Sequence, residues 1–537
     1  MKDRLMGVET EYAITALTPQ GKNFDGQRLL EIFLRTARAE LPHIPDFGNG
    51  MFLQNGARLY GDTGMHPELS TPECTDPLTV VEHIRAGECI LGNLAKNLER
   101  TVQEIGEVQL FRTNVDYSET RATWGCHESY LHRANPAKLP AQIIPHLVSR
   151  LIFTGAGGFW PLSNGLDFSL SPRVAHLVHE VSDDSTRKRA IFHTKNETLA
   201  GNGYNRLHVL CGESLCSQTA SWLKLGTTAL VVALIEADAC EAGAVQLKAP
   251  LAAMKIFAKD PLCRQVVPLQ SGQSITAVQI QRHYLGRAEA NIGRQFMPEW
   301  AETVCRSWRL ILNQLECSPE ALNTTLDWPI KRYLYENWAR KRGIGWESLS
   351  QWSHVLSRLR LALAETAYRN KPASADFILG PQSPAKDMVL TLTPMLENAG
   401  LRWEDLGRFI ALRHELQEID MRFGQLNEEG IFSSLDKTGL LHHRLPGICD
   451  ESSSINNPPA SGRARVRGEF VKQHASEHNR YCCDWQGVWD WQEMRVMDLS
   501  DPFETAERWR NLTQEEVEWG PDYTALNLRF LLGARVR

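Results

Sequence analysis

The sequence predicts an α+β protein, in which separate strands and helices are mixed along the chain. Three observations predict this class. Short extended segments lie before about residue 210, mainly helical patterns run from about 217 to 370, and the chain shows no regular strand–helix–strand alternation. A chain of 537 residues is too long for one ordinary domain, so we expect more than one unit.

The opening segment LMGVETEYAIT (5–15) predicts a strand, and FDGQRLLEIFLRTARAEL (24–41) predicts an amphipathic helix. MFLQNGARLYGD (51–62) returns as extended chain, whereas HPELSTPEC (66–74) is interpreted as turn-rich. Thr75, Asp76 and Pro77 announce the next helix. Further strands are predicted within EVQLFRTNV (107–115), FSLSP (168–172), RAIFHT (189–194) and NRLHVLCG (205–212).

The C-terminal part predicts a smaller second unit. NKPASADFILGPQSP (370–384) is typical of a linker or surface loop, and LGRFIALRHELQEID (406–420) predicts the last long helix of the main body. The polar, Pro/Gly-rich stretch 449–462 predicts a mobile loop, and RARVRGEFV (463–471) predicts a strand. We therefore expect a main domain over 1–447 and a small C-terminal domain over 448–537.

Composition limits the compartment and the partners. The net charge of −6 gives no reason to expect nucleic acid or an anionic membrane as partner. The most apolar stretch, LGTTALVVALIEADAC (225–240), is too short to span a bilayer and predicts a buried helix. Twelve cysteines without a CxxC pair, together with an N-terminus that has no signal region, indicate a reducing cytoplasm.

The common nucleotide and hydrolase motifs are absent from the sequence. No GxxxxGK[ST] loop, GxSxG elbow or HExxH helix occurs. The glycines of GAGG (155–158) and GNG (201–203) lack the context of a dinucleotide site. The standard nucleotide-binding folds and the serine hydrolases are therefore poor interpretations.

Carboxylates on extended chain are the strongest chemical signal. Strand alternation puts Glu9 and Glu11 on the same face, two residues apart, where they repel unless a positive group lies between them. The same alternation groups Arg58 with Tyr60 and Asp62, and Arg206 with His208. Glu68 and Glu73 follow in turns that contain proline, and GCHESY (125–130) offers His127 and Glu128. Clustered carboxylates suit Mg²⁺ that arrives with substrate phosphates, although each signal alone also fits a solvated strand face or a turn.

Several ordered motifs identify a family resemblance. MGVETEYAIT, NGARLYGDTGMHPELSTPEC, GCHESYL, NRLHVLCGESLCSQTASWLKLGTTALVV, LDWPIKRYLYE and RARVRGEFV follow one another between about residues 5 and 510. In this the chain resembles the Pup–protein ligases (proteasome accessory factor A) and their depupylase relatives. The resemblance implies a glutamine-synthetase-like fold, with a curved antiparallel sheet that forms a cradle for ATP and Mg²⁺ and a small C-terminal domain.

The resemblance also implies roles for individual residues. Asp62 matches the family's essential aspartate and would act as the general base. The metal and phosphate residues would be Glu9, Glu11, Glu68, Glu73, Glu128 and His208. Cofactor-side contacts are expected from Arg58, Arg173, Lys195, Arg206 and Arg463. Strand alternation would also put Arg463, Arg465 and Arg467 on one face, where they form either a stripe that binds the modifier or phosphates, or a charged edge strand.

The implied chemistry is activation of a carboxylate. A glutamate γ-carboxylate attacks ATP to give an acyl phosphate, and a protein lysine then displaces phosphate to form an isopeptide bond. The partners would be a small acidic, ubiquitin-like, Pup-like modifier and lysine-bearing proteins. The short 43-residue spacing between Glu11 and Asn55 favours the ligase over the depupylase branch. The alternatives are a hydrolase of the same fold, a small-molecule glutamate–amine ligase and a weakly catalytic modifier-binding protein.

Three departures from the family pattern accompany this interpretation. HTKNE (193–197) carries Lys195 and Asn196 where the family has an arginine and an aspartate, and a lysine cannot offer the bidentate fork of an arginine. SPRVA (171–175) keeps Arg173 but loses an acid, and DMRFGQL (420–426) replaces an aspartate–tyrosine–histidine pattern. These changes bear on the modifier's identity and on the phosphate contacts.

Overall fold

The computed structural model describes the chain except for residues 1, 63, 118–121, 184–188, 196–199, 201–202, 364–385, 449–450, 515 and 517–537. The predicted linker 370–384, the departure at Asn196 and the end of the C-terminal tail therefore lie outside the described residues.

The described residues form strands and helices that alternate irregularly along the chain. The strands are β1 Met6–Glu11, β2 Ala13–Leu17, β3 His43–Pro45, β4 Met51–Leu53, β5 Arg58–Gly61, β6 Pro67–Ser70, β7 Glu107–Phe111, β8 Cys126–His132, β9 Gly158–Phe159, β10 Phe168–Ser169, β11 His179–Ser182, β12 Ala190–His193, β13 Asn205–Val209, β14 Val266–Pro268, β15 Ser274–Thr276, β16 Tyr481–Cys483, β17 Gly487–Asp490, β18 Arg495–Asp498 and β19 Trp509–Asn511. The helices are α1 Gly26–Glu40, α2 Pro77–Thr101, α3 Leu139–Ser149, α4 Leu151–Thr154, α5 Gln218–Glu236, α6 Pro250–Ala258, α7 Ala277–Glu289, α8 Ala301–Cys317, α9 Asp327–Lys341, α10 Leu349–Leu363, α11 Lys386–Asn398, α12 Leu406–Phe423, α13 Ile431–Lys437, α14 Glu451–Asn456 and α15 Gly462–His474.

A large sheet organises the main body. Within the described residues it has nine strands in the order β11-β12-β13-β8-β1-β6-β5-β4-β3. Every neighbouring pair is antiparallel except β11 and β12, which are parallel. The α+β class is confirmed, and the parallel pair is the one exception to the predicted antiparallel sheet.

One face of this sheet packs on helices. Val8 of β1, Tyr130 of β8 and Leu207 of β13 join a core with the residues of α3, α5, α7 and α8. Leu59 and Leu69 join a second core with α1 and α2. Strand alternation then directs the intervening polar residues to the opposite face.

Two predicted helices form for the expected local reasons. The side chain of Asp76 caps α2 by accepting from Leu78 N at 2.6 Å, and Pro77 occupies the first turn. Helix α5 is long and apolar enough to cross a membrane, but 94% of its apolar window is buried inside the molecule. The prediction of a buried helix at this position is confirmed, but the prediction that the segment is too short to span a bilayer is wrong, because the helix already begins at Gln218.

Three local predictions are wrong. Residues 67–70 form β6 instead of a turn. The segment predicted as a mobile loop contains α14, whose Ile455 packs on the core that α2 contributes to. RARVRGEFV lies in helix α15 and not in a strand, and its arginines therefore do not share one strand face.

The C-terminal elements pack on the edge of the large sheet that is formed by β3 and β4. Strands β16–β19 form their own four-stranded antiparallel sheet. Phe470 of α15, Cys483 and Met497 of this small sheet, and Ile44 and Phe52 of the large sheet share one buried cluster. The boundary predicted at residue 448 stays a prediction.

Candidate active site

The register of the large sheet assembles one polar face. Glu9 of β1 lies opposite Ser70 of β6 and opposite His127 of β8, and Glu11 lies opposite Glu68. Directly opposed residues of antiparallel strands point to the same side of a sheet. The carboxylates of β1 and β6 and the imidazole of β8 therefore share one face.

The neighbouring strands extend this face in both directions. On β5, Arg58 lies opposite Ser70 and Tyr60 lies opposite Glu68, and Asp62 follows with the same alternation. On β13, His208 lies opposite Ser129 and opposite His193 of β12. The predicted groupings of Arg58 with Tyr60 and of Arg206 with His208 match this register.

Three overlapping sets of side chains on this face are compact enough to hold a cation. In each set the candidate ligand atoms lie within 4.8 Å of one another. The sets are Glu9 with His127 and His208, Glu11 with Glu68 and His127, and Glu11 with Asp62 and His66. The first set contains Glu9 of β1, and the other two share Glu11 of the same strand. The third set extends from Glu11 to Asp62, directly after β5.

The crowded carboxylates on this face have diverging pKa values. Burial, reinforced by the nearby Glu9 and Glu11, raises the pKa of Glu68 well above its usual range. Burial also acts to raise the pKa of Glu9, but His127 and Arg206 outweigh it and hold that pKa below its usual range. Because burial lowers the pKa of His127 itself, Arg206 is the standing positive charge beside Glu9 at neutral pH.

The two imidazoles of the first set are neutral. Burial, reinforced by Arg206 and the neighbouring His127, lowers the pKa of His208 well below 6.5. The His127 and His208 rings lie 5.3 Å apart between centroids, and His193 lies 4.4 Å from His208. Neutral imidazole is the form that coordinates metals, so these rings suit a cation site.

Glu9, Glu11, Glu68 and Asp62 form a row of carboxylates on the polar face, and Asp62 lies at one end of this row. Its Oδ1 accepts the backbone N–H of His66 at 2.7 Å, and its side chain is only 15% exposed. Burial acts to raise the pKa of Asp62, but the hydrogen bonds from His66 outweigh it and lower that pKa. Asp62 is therefore ionised at neutral pH and can accept a proton.

A cavity lies at the other end of the carboxylate row, next to Glu9. Its walls include Leu5, Gly7, Leu131, Trp485 and Pro502. Glu9 and Arg206 line the side that meets the polar face. A mostly apolar pocket beside a charged row is the usual form of a ligand site.

Comparisons with known proteins identify the family. A family model described as Pup-ligase protein matches residues 4–368 and 386–489. The chain is 31% identical to a Pup–protein ligase of Acidimicrobium ferrooxidans over 513 residues, which cover 93% of this chain and 96% of the relative. It is 29% identical to one from Kineococcus radiotolerans, over 94% of this chain and 98% of that relative. This chain belongs to the Pup-ligase family.

Two solved structures of Pup ligases share the fold. The complex of the ligase PafA with the prokaryotic ubiquitin-like protein Pup matches with a TM-score of 0.70 and 22% identity, over 98% of this chain and 92% of that chain. PafA in complex with ADP matches with a TM-score of 0.64 and 23% identity, over 89% and 91%. The resemblance predicted from the ordered motifs is confirmed.

Most of the predicted site residues of this Pup-ligase family member lie on the polar face. Arg206 donates from Nε to Ser129 Oγ at 3.0 Å, and its Nη2 lies 4.0 Å from Glu9 Oε2. Arg173 reaches the same face from a short 3₁₀ turn, with Nη2 3.4 Å from His127 Nε2 and Nη1 2.8 Å from the Trp124 carbonyl oxygen. Both guanidinium groups therefore border the imidazoles.

Arg58 and Lys195 are two further residues predicted to contact the cofactor. Arg58 donates from Nε to Asp46 Oδ2 at 2.9 Å, and its guanidinium carbon lies 4.1 Å from the centre of the Tyr60 ring. Its charge is therefore matched within the protein. Lys195 lies just beyond β12 and is exposed, and its backbone N–H donates to His193 Nδ1 at 3.2 Å.

Glu128 does not belong to the polar face. It lies opposite Val8 and Val209, so it points into the helical side of the sheet. There it is fully buried and accepts from Arg150 Nη1 at 2.8 Å and Nη2 at 2.6 Å. The prediction took the acid in GCHESY and missed the histidine one residue earlier, whose parity puts it opposite Glu9.

Glu73 and Arg463 bind each other. Arg463 Nε donates to Glu73 Oε1 at 2.7 Å, and Arg467 Nη2 donates to Glu73 Oε2 at 2.5 Å. Among the described residues, Glu73 is in none of the three candidate cation sets. The structure therefore brings neither its carboxylate nor the Arg463 guanidinium to the row that carries Glu9 and Glu68.

The sequence analysis passed over His66 and His193 as site residues, and it noted His127 beside Glu128 without giving it a role. A usable local signal existed for His66. His66 precedes Glu68 by two residues and so shares its face once that segment is a strand, and His127 matches the parity of Glu9 only when β1 and β8 are paired. The turn-rich interpretation of 66–74 removed the signal for His66.

Proposed function

We propose that this chain is an ATP-dependent ligase of the Pup-ligase type. It would join the γ-carboxylate of a C-terminal glutamate on a small acidic, Pup-like modifier to the ε-amino group of a protein lysine. The observation that carries the proposal is the order of the groups across the polar face: the apolar cavity, Arg206 with Glu9, Glu11 with Glu68, and then Asp62. The relatives named as Pup–protein ligases and the complex of PafA with Pup support it.

ATP fits this order in size and chemistry. The six residue steps from Leu5 to Glu11 cover about 20 Å of strand at about 3.4 Å per residue, which is enough for an extended nucleotide. The base would enter the apolar cavity beside Trp485 and Pro502, and the triphosphate would run toward Glu9 past Arg206. The complex of the related PafA with ADP supports a nucleotide in this fold.

A divalent cation fits the carboxylate row, and we infer Mg²⁺. Glu9 with His127 and His208, and Glu11 with Glu68 and His127, form two compact sets that share His127. Without a cation, burial and the acidic neighbours raise the pKa of Glu68 well above its usual range. Those five residues would hold the metal. When bound, Mg²⁺ neutralises the charge crowded between a substrate carboxylate and a triphosphate.

The chain's own residues then divide the work of the reaction. Arg206 and Arg173 border the imidazoles and would orient anionic oxygens of the phosphate and the modifier. The substrate γ-carboxylate attacks the γ-phosphate, and ADP leaves. Asp62, ionised and near Glu11, would take the proton that the incoming lysine must lose before its nitrogen attacks the acyl phosphate. The bond from carbonyl carbon to nitrogen forms as inorganic phosphate departs.

We also propose a cytoplasmic location and a functional boundary near residue 448. The eleven cysteines in the described part of the chain are all free, which is compatible with a reducing compartment. The small C-terminal sheet and α15 would act as a domain that completes the cavity, since Arg463 and Trp485 both line it.

The test is turnover of nucleotide together with modification of a target. Purified protein, ATP, Mg²⁺, a Pup-type modifier ending in glutamate and a lysine-bearing protein are incubated, and ADP and the mass of the target are followed. We expect ADP to form in step with the adduct, and Asp62→Asn to lower the rate of adduct formation at least 100-fold.

Asp260→Asn is the matched control for that variant. Asp260 likewise accepts a backbone N–H a few residues later, from Gln265 at 2.6 Å, but it follows α6 and is not on the polar face. Its activity should stay within twofold of the wild type. Cleavage or deamidation of the modifier without net ADP formation would contradict the ligase and favour the hydrolase of the same fold.

A further inference from the structure

Glu73 forms ion pairs with two arginines of helix α15. It lies in the loop between β6 and α2, whereas Arg463 and Arg467 are one turn apart on α15. The two guanidinium groups bind different oxygens of the carboxylate, at 2.7 Å and 2.5 Å. The arginine side chains are 1% and 0% exposed, and the Glu73 side chain is 16% exposed. The loop of the large sheet and the C-terminal helix are thereby pinned together.

Arg467 also packs against two aromatic rings. Its guanidinium carbon lies 4.9 Å from the ring centre of Phe52 on β4 and 4.9 Å from that of Trp485, in the turn between β16 and β17. Its Nε and Nη1 are buried without a hydrogen-bond partner. Aromatic faces can take the place of those partners for a cation. The Glu73 carboxylate is thus the ionic partner that sets how the guanidinium meets the Trp485 ring.

Trp485 is a wall of the cavity next to the polar face. Glu73, Arg463 and Trp485 all line this cavity, together with Gly7 and Arg206. Glu73 therefore touches the back of the pocket that would take the base. Its two oxygens are both engaged by arginines, which leaves the carboxylate as a support of the wall.

The charge balance makes this support dependent on Glu73. Two buried guanidinium groups share one buried carboxylate, and removing that carboxylate leaves both charges without their main partner. The arginines would then turn toward water or other acceptors, and Arg467 would leave the faces of Phe52 and Trp485.

We propose that Glu73 is a positioning residue of the nucleotide pocket, which acts through Arg467 to hold Trp485 in the wall that the base meets. Nucleotide affinity then depends on a carboxylate that binds neither nucleotide nor metal. This inference rests on the proposed function, because it assigns the cavity to the base of ATP.

The test compares two ion-pair variants in the full-length chain, with ADP and Mg²⁺ as the probe in calorimetric titration. Glu73→Gln keeps the shape of the side chain and removes its charge, and we expect the Kd for ADP to rise at least tenfold. Glu236→Gln is the matched control, since Glu236 pairs with Arg4 at 2.6 Å in an equally buried contact and does not line the cavity. Its Kd for ADP should stay within twofold of the wild type.

Two further readouts separate positioning from other roles. In protein labelled with 5-fluorotryptophan, the Trp485 resonance, assigned with Trp485→Phe, should shift in Glu73→Gln but not in Glu236→Gln. In turnover, Glu73→Gln should raise the KM for ATP at least tenfold while kcat changes less than threefold. A raised Mg²⁺ requirement with unchanged ADP affinity would make Glu73 a metal ligand and overturn the proposal.

Arg467→Lys keeps the inference testable if Glu73→Gln fails to fold. It retains the charge but loses the planar contact with two rings, and the Kd for ADP should rise at least fivefold. Unchanged ADP affinity in the folded variants overturns the positioning role alone. Failure of the wild-type chain to bind ADP contradicts the proposed function instead, and with it the assignment of the cavity.

Discussion

The acids of the polar face differ in how their charge is held, and this difference governs the pH response of the site. Glu9 faces Arg206 and keeps a lowered pKa, whereas Glu68 is buried beside two other carboxylates and keeps a raised one. A cation placed among them would favour the ionised form of both. Binding of a metal should therefore displace the proton that Glu68 holds.

Proton release on metal binding tests this prediction. Calorimetric titration of Mg²⁺ in buffers of different ionisation enthalpy should show net proton release that decreases as the pH rises through the raised pKa of Glu68. Metal affinity should fall as the pH is lowered through the same range. Glu68→Gln should abolish the release, whereas Glu9→Gln should weaken binding and leave some release. Binding with no proton release in any buffer would contradict the proposed ligand set.

The neighbouring residues His127 and Glu128 should respond to substitution in opposite ways. His127→Ala removes an imidazole from two candidate cation sets, so it should weaken Mn²⁺ binding, followed by electron paramagnetic resonance, at least tenfold. Glu128→Gln leaves the buried Arg150 without its carboxylate, so it should lower the free energy of unfolding by about 3–5 kcal/mol. The reverse pattern, with metal loss in Glu128→Gln and unchanged binding in His127→Ala, would contradict the register of β8.

At the scale of elements, the joint between α15 and the loop before α2 should depend on pH. Burial acts to raise the pKa of Glu73, but Arg467 and Arg463 outweigh it and lower that pKa from 4.5 to about 2. A carboxyl group whose pKa is lower in the folded state stabilises that state above its unfolded pKa. This stabilisation is lost as the pH falls from about 4.5 toward 2, and a shift of this size corresponds to about 3 kcal/mol.

Urea unfolding at several pH values measures this contribution. Glu73→Gln should lower the free energy of unfolding relative to the wild type at pH 6, and the difference should shrink as the pH approaches 3. Glu469→Gln serves as the control, because Glu469 of the same helix pairs with Arg465 in an exposed contact and should cost less than about 1 kcal/mol. A difference between Glu73→Gln and the wild type that is constant with pH would contradict the assigned ion pair.

Helix α15 also shows where sequence patterns lose resolution. Arg463, Arg465 and Arg467 alternate, which predicts a strand, but Arg463 and Arg467 are also one helical turn apart. The residues between and after them, Ala464 and Glu469, favour helix. The contacts in the structure agree with the helix. Arg463 and Arg467, four residues apart, both donate to Glu73, whereas Arg465 points outward and donates to Glu469.

At the scale of the whole molecule, the fold class and the acids of the first strands could be predicted from the sequence, because alternation within a strand is a local property. The pairing of strands is not local. A shift of one residue in the pairing of β8 with β1 would exchange His127 for Glu128, and no pattern within GCHESY decides between them. The partners of Glu73 are nearly 400 positions away in the chain, beyond the reach of any spacing rule.

In the proposed reaction, one sheet face first activates a carboxylate and then passes it to an amine with Asp62 as base. The most direct measurement uses hydroxylamine in place of the protein lysine, with ATP, Mg²⁺ and the modifier, and detects the γ-hydroxamate by mass spectrometry. Hydroxylamine is neutral at pH 7 and needs no base. We expect Asp62→Asn to form the hydroxamate at a rate near that of the wild type while failing to modify lysine. Loss of both products in a folded Asp62→Asn variant, or no hydroxamate from the wild type, would contradict the proposed reaction.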